Sequence, residues 1–172
     1  METIPATYGF PLPKAGYLKA VRELARKAGT MYIADEVQTG LMRTGSMWGW
    51  QAYGIEPDIM VTAKGLSGGL YPISACLVNE QAGQWLNEDG AAHISTTGGA
   101  ALGCVVGHKV IEMLLRPEVA ANVQVVAGFM ADAMKDIMAK QRDIFTGVRK
   151  KSILRGRDLK RAEGAVSVSR AV

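Results

Sequence analysis

The sequence predicts an α/β fold, a mostly parallel sheet flanked by helices. Three observations predict it. Short apolar runs at Met31–Ala34, Ile59–Thr62 and Ile73–Val78 have the length and composition of buried strands. Stretches carrying a helical apolar stripe alternate with them, which is the pattern of layered α/β domains. The first two runs each end at a residue that can do chemistry, Asp35 and Lys64. Ligand sites in open α/β sheets lie just beyond the carboxyl ends of strands.

Residues 1–13 read as extended chain or loop, because Pro5, Pro11 and Pro13 break any helix. A helix is predicted from Lys14 to Ala28, where Leu18, Val21, Leu24, Ala25 and Ala28 recur at three- and four-residue steps. Gly29 supplies its stop. The strand Met31–Ala34 follows at once, so this helix is half of a β-α-β crossover whose first strand lies before or at Met1. Thr39–Asp58 is a long loop with Arg43, Trp48, Trp50 and Tyr53, and such loops in compact domains are usually functional. Arg43 is expected to hold that loop by hydrogen bonds.

After the strand Ile73–Val78, a short amphipathic helix is predicted near Gln81–Asn87, with Ala82, Trp85 and Leu86 on one side. Ala101–Leu115 is apolar on most sides and is expected to be buried through Leu102, Val105, Val106, Ile111 and Leu114. Arg116-Pro117 ends it. The next helix runs from Glu118 to about Gln141. Its stripe of Val119, Val123, Val126, Met130, Met134, Ile137 and Met138 reads as core or interface rather than a cofactor box.

Composition narrows the function classes. A chain of 172 residues with 48% hydrophobic and 21% charged content suits one globular domain. No apolar run approaches a membrane span, and the N-terminus has no signal-peptide pattern. Cys76 and Cys104 lack C-x-x-C or metal spacing. They read as small core residues of a reduced, cytoplasmic protein with no metal site. The net charge of +4 is unevenly spread. Up to Val148 there are 12 basic and 14 acidic residues; from Arg149 on there are 8 and 2. A basic tail at residues 149–161 raises the question of nucleic acid. No aromatic is interleaved there to stack on bases, so a solvated tail is the preferred reading.

A carboxylate and a lysine at neighbouring strand ends are the two groups that pyridoxal 5'-phosphate needs. Its aldehyde must be held on an amine, and its ring nitrogen must stay protonated beside a carboxylate. Gln38 could donate to the ring hydroxyl oxygen, Val37 could pack on the ring, and Gly65, Gly68 and Gly69 leave room beside Lys64. Taken singly, an Asp at a strand end is usually a cap or turn residue, and a Lys beside glycines is usually solvated.

The order of short motifs changes that balance. D-E-V-Q-T-G begins at Asp35, R-T-G at Arg43, E-P-D at Glu56 and A-K-G-L-S-G-G at Ala63. The string resembles the class III (omega-amino acid type) aminotransferases, which are fold-type-I pyridoxal phosphate enzymes. The resemblance implies that Asp35 binds the pyridine nitrogen, Gln38 lies by the ring hydroxyl, and Lys64 forms the Schiff base. The segment His93–Gly99 resembles, with changes, the family's H-G-S-T-(aromatic)-G-G. There a threonine reaches across a homodimer interface to the neighbour's cofactor phosphate, which implies that role for Thr96, with Ser95 beside it. Thr97 replaces the aromatic, and Ala100-Ala101 replaces the usual Asn-Pro. His93 is expected to be structural.

The implied reaction moves an amino group from an amino acid or omega-amine donor to a 2-oxo acid; the family also holds decarboxylating and aminomutase members. The implied organisation is a partial cofactor-binding large domain at 1–115, a long linking helix at 116–142 and a remnant of the small domain at 143–172. The resemblance is expected to cover about residues 1–148. Beyond F-T-G-V-R, the stretch KKSILRGRDLKRAEG carries charges where an apolar strand would be buried. The chain is expected to be truncated at both ends and incomplete alone. It would lack the loop that holds most of the cofactor phosphate and the rest of the small domain. The alternative is an inactive remnant or partner subunit of the same family.

Overall fold

The computed structural model describes residues 1–159. Nine elements follow in order: α1 (Tyr17–Lys27), β1 (Ile33–Asp35), β2 (Ile59–Thr62), β3 (Ala75–Val78), α2 (Glu80–Glu88), α3 (Ala101–Leu114), α4 (Pro117–Lys140), β4 (Phe145–Lys151) and β5 (Leu154–Leu159). Short 3₁₀ turns occupy Gly49–Tyr53 and Lys64–Ser67. Among the described residues no helix is long and apolar enough to cross a membrane.

The first sheet has the order β1-β2-β3. β1 and β2 run parallel, with Ala34 beside Met60 and Asp35 beside Val61. β3 is antiparallel to β2, which makes the sheet mixed at that edge. The cause is the connection: between β2 and β3 there is only a 3₁₀ turn, and a parallel return needs a longer crossover, usually a helix. Residues 1–2 do run parallel beside β1: the Met1 amino group donates to Ile33 O at 2.6 Å, and Asp35 N donates to Met1 O at 2.9 Å. α1 is therefore the crossover between two parallel segments.

α1 begins at Tyr17, later than expected, because Gly16 sits at φ 78° in the left-handed region. It covers one face of the sheet through Leu18, which clusters with Tyr32, Ala34 and Ile55, flanked by Val21 and Ala25. Leu24 falls off this stripe and is 66% exposed. Asp58 ties the layer together. Its carboxylate accepts from Arg22 Nη2 at 2.8 Å, Tyr32 N at 2.8 Å and Asn79 Nδ2 at 3.0 Å. Asn79 in turn caps α2, accepting from Ala82 N at 2.8 Å.

α3 packs through glycine rather than through its large residues. Gly103 and Gly107 are its buried positions, facing Tyr71, Ile73 and Leu66. A Cβ on Gly103 would meet the Tyr71 ring at 3.1 Å. Leu102 and Val105, expected in the core, are 62% and 66% exposed. α4 buries Ala127 and half-buries Val119, Val123, Met130, Met134 and Met138, whereas Val126 and Ile137 are exposed. Cys76 and Cys104 are both exposed, contrary to the core placement read from sequence. Cys76 stands beside Val61 on the sheet, and Cys104 is an exposed position at the flank of the glycine face of α3.

β4 and β5 form an antiparallel hairpin. The charged stretch thus does form a strand. Leu154 joins a core with Ile4, Ala6 and Phe10 from the N-terminal segment. Arg149 donates from Nε to Gly9 O at 2.7 Å and pairs with Asp158. Arg155 is buried and donates to Ala127 O. The remainder of the basic tail, from residue 160, lies outside the described residues.

Candidate active site

Two parallel strand ends build the site. Asp35 closes β1 opposite Val61, and Lys64 stands three residues beyond Val61. Neighbouring strands lie about 4.8 Å apart, so the carboxylate and the amine project from adjacent ends of one sheet. Asp35 is half-buried, and its Oδ1 accepts from Val37 N at 3.1 Å, which tightens the turn after the strand. Val37 and Gln38 are half-buried in that turn.

Lys64 adopts φ 47°, a left-handed conformation. For a residue with a side chain this costs about 1–2 kcal/mol. The surrounding turn imposes it. Leu66 N donates to Ala63 O at 3.0 Å, and Ser67 Oγ donates to Lys64 O at 3.1 Å. Ser67 Oγ also accepts from Gly69 N at 3.0 Å. Leu66 is buried against Gly107 of α3, so the helix presses on the turn that carries the lysine. Lys64 itself is exposed, and its Nζ has no hydrogen bond or ion pair among the described residues. It lines a hollow of about 420 Å³ with Ser67, Pro72, Ile73 and Ser74.

A second hollow of about 230 Å³ shares Pro72, Ile73 and Ser74 and is lined on its far side by Ser95, Thr97 and Gly98. Ser95 Oγ accepts from Gly98 N at 2.8 Å. Of the residues singled out from sequence, Lys64 lines the first hollow and Ser95 the second. Thr96 is exposed and lines neither; Asp35, Val37 and Gln38 sit at the β1 end and line neither. Arg43 is exposed, with no side-chain hydrogen bond among the described residues, so it does not hold the loop.

Glu36 holds it instead. It is 1% exposed and accepts from Thr3, Thr39, Gly49 and Trp50. Period-two alternation could have found it: Tyr32, Ala34 and Glu36 share the core side of β1, and a buried carboxylate must find donors.

The donor set fits pyridoxal phosphate. Among the described residues, the Lys64 amine has no partner and stands beside a hollow of ligand size, and Asp35, with one oxygen that accepts no hydrogen bond, ends the neighbouring strand.

A family model described as aminotransferase class-III matches residues 1–170. The chain belongs to the class-III aminotransferases. The match extends past residue 148, where the sequence motifs had faded. An uncharacterized aminotransferase of Archaeoglobus fulgidus is 48% identical over 83% of this chain and 32% of its own length. An acetylornithine aminotransferase of Rhodobacter capsulatus is 38% identical over 96% of this chain and 42% of its own. Among solved structures, the ornithine aminotransferase of Plasmodium yoelii superposes with TM-score 0.81 at 33% identity, over 92% of this chain and 42% of that one. The taurine:2-oxoglutarate aminotransferase of Bifidobacterium kashiwanohense, in complex with PLP and glutamate, gives TM-score 0.85 at 28% identity, over 92% and 35%. This class-III aminotransferase chain thus spans between 32% and 42% of the length of these relatives.

Proposed function

We propose that this chain carries the lysine-bearing part of a pyridoxal-phosphate-dependent aminotransferase, with Lys64 as the residue that holds the cofactor. One observation carries the reading: Lys64 Nζ, without a partner among the described residues, stands beside a hollow, with Asp35 at the end of the adjacent parallel strand. When bound, the cofactor supplies an electron sink for the pair left at the substrate carbon. Lys64 Nζ would make the Schiff-base linkage to its aldehyde carbon. The same Nζ would carry the proton at the substrate's α-carbon. Asp35 would keep the ring nitrogen protonated, Gln38 would donate to the ring hydroxyl oxygen, and Val37 would pack on the ring. Ser95 and Thr96 would supply hydroxyls to the phosphate of a second subunit in a homodimer.

Substrates in this reading are an amino acid or omega-amine donor and a 2-oxo acid acceptor. The relatives named for acetylornithine and ornithine support an omega-amine. Residues 1–115 would form the cofactor-binding portion, 116–142 the linking helix and 143–172 the start of the small domain. Two free thiols suit a reducing cytoplasm.

The test adds pyridoxal phosphate to the full chain, reduces with borohydride and maps the labelled lysine. Transamination is then assayed with ornithine-like and omega-amine donors. Selective label at Lys64, lost in Lys64→Ala, is expected. Label spread over the lysines in proportion to exposure would overturn the reading. Label at Lys64 without turnover would favour a chain that holds the cofactor but does not catalyse alone.

A further inference from the structure

Glu36 follows Asp35 directly and is 1% exposed. Its Oε1 accepts from Thr3 Oγ1 at 2.5 Å and Trp50 N at 3.1 Å. Its Oε2 accepts from Gly49 N at 2.6 Å and Thr39 Oγ1 at 3.0 Å. A carboxylate offers about four acceptor positions, so these donors fill it. No salt bridge reaches it among the described residues. The main chain of Glu36 is fixed as well: its N–H donates to Val61 O at 2.9 Å, and its carbonyl accepts from Gly40 N at 2.9 Å.

The four donors come from separate stretches: the N-terminal segment, the turn after β1, and the start of the Gly49–Tyr53 turn. The fit is close. A Cβ on Gly49 would lie 3.1 Å from Glu36 Oε2, and one on Gly40 would lie 2.8 Å from Glu36 O. Asp35 has much less of its own. Among the described residues its half-buried side chain accepts one hydrogen bond, from Val37 N in the same turn. With one side-chain bond, the position of the Asp35 carboxylate depends strongly on the main chain on either side of it. On the far side that main chain belongs to Glu36.

We infer that Glu36 is a positioning residue: its buried, fully bonded carboxylate fixes the turn that carries Asp35 and Val37, and so aims the Asp35 carboxylate. The inference rests on the proposed role of Asp35 toward the cofactor ring. Buried and with its acceptor positions used, Glu36 is assigned no contact with cofactor or substrate in this reading. A misplacement of about 1 Å at a reacting group costs on the order of a hundredfold, so a fixed turn matters to the chemistry.

The experiment compares the full chain with Glu36→Gln and Thr3→Val, with two readouts. The first is amide hydrogen exchange without cofactor. Exchange across residues 36–50 should rise about tenfold in Glu36→Gln and less in Thr3→Val, while the Leu18 and Tyr32 core keeps its protection. The second is the pH profile of the bound cofactor's absorbance, which follows the proton on the nitrogen that joins Lys64 to the cofactor; a protonated ring nitrogen makes that proton easier to lose, so a misaimed Asp35 should shift the profile in the same order. Should Glu36→Gln fail to fold, Thr3→Val decides, since it removes one donor of four. Unchanged exchange at 36–50 overturns the inference. Raised exchange with an unchanged absorbance profile also overturns it, leaving Glu36 merely structural. A wild-type chain with no cofactor band would overturn the proposed function first, and this inference with it.

Discussion

Glu36 and Arg155 are buried to nearly the same degree, 1% and 4% exposed, and the fold treats them oppositely. Glu36 receives four donors. Arg155 has one acceptor, Ala127 O, and its Nε and Nη1 find none among the described residues. Burial accordingly pulls the Arg155 guanidinium below its ordinary pKa. The difference separates two kinds of region. The turn after β1 is fixed by satisfied polar bonds on Glu36, which specify one geometry, although the buried Thr62 hydroxyl at the end of β2 has no partner among the described residues. The β4–β5 hairpin docks through Leu154 against Ile4, Ala6 and Phe10 and through Arg149 to Gly9 O, and in Arg155 it carries an incompletely paired charge at a cost.

The largest expected effect breaks the first kind. Glu36→Ala leaves Gly49 N, Trp50 N and two hydroxyls without their acceptor in the core. An unsatisfied buried donor costs about 1–3 kcal/mol, and admitted water recovers part of that for several at once. A loss of about 3–5 kcal/mol in urea unfolding of the full chain is expected, near the cost of breaking a buried ion pair. A loss under about 1 kcal/mol would mean that the four bonds carry little net stability, and the contrast with Arg155 would fail.

This contrast also explains what was legible in the sequence. The placement of Asp35 and Lys64 was legible because the first two apolar runs lead into them and the motifs mark both. β2 was legible in full, since Ile59–Thr62 is a short apolar run with no competing pattern. The direction of β3 was not, because strand polarity depends on the crossover, and apolar pattern says nothing of it. The packing of α3 was misread for a physical reason: hydrophobic pattern marks Leu102 and Val105, but close approach to Tyr71 and Leu66 selects Gly103 and Gly107. Glu36 lay inside a motif and passed unnoticed because its donors come from 33 residues before and 14 after it. The hairpin was misjudged from its charges, which Gly9 O, Asp158 and Ala127 O partly satisfy from a distance in sequence.

The second effect is smaller and of opposite sign. Arg155→Met keeps an unbranched apolar stem and removes two buried donors that lack partners. Ala127 lies inside α4, so its carbonyl keeps its helical donor. Replacing a poorly paired buried charge by a hydrophobic residue of similar length is often neutral or stabilising by a few kcal/mol. A gain of about 1–2 kcal/mol is expected, read as a higher urea midpoint at an unchanged slope. A loss of that size would show that Arg155 is well paired, and the two regions would then differ in degree only.

The smallest effect asks whether region or group decides. Tyr32 belongs to the well-bonded region: it is 3% exposed, packs with Leu18 and Ala34, and its N–H reaches Asp58. Yet its hydroxyl has no partner among the described residues. If satisfaction of the individual group is what counts, Tyr32→Phe should leave stability at pH 8 within about 0.5 kcal/mol of wild type. The hydroxyl should show itself only in alkali. Burial raises its pKa above the ordinary 10.0, the charge of Glu36 and Tyr17 add to the rise, and Arg22 opposes it. The folded chain then holds the phenolic proton more tightly than the unfolded chain. Stability is complete below the unfolded value and falls as pH rises past it, because the unfolded state releases its proton first. Tyr32→Phe should flatten that alkaline fall in unfolding curves taken at pH 8 and above pH 10. Part of the fall should remain, since burial also raises Tyr53. A cost above about 1 kcal/mol at pH 8 would mean that the hydroxyl is bonded after all, and Tyr32 would then behave like the region that surrounds it.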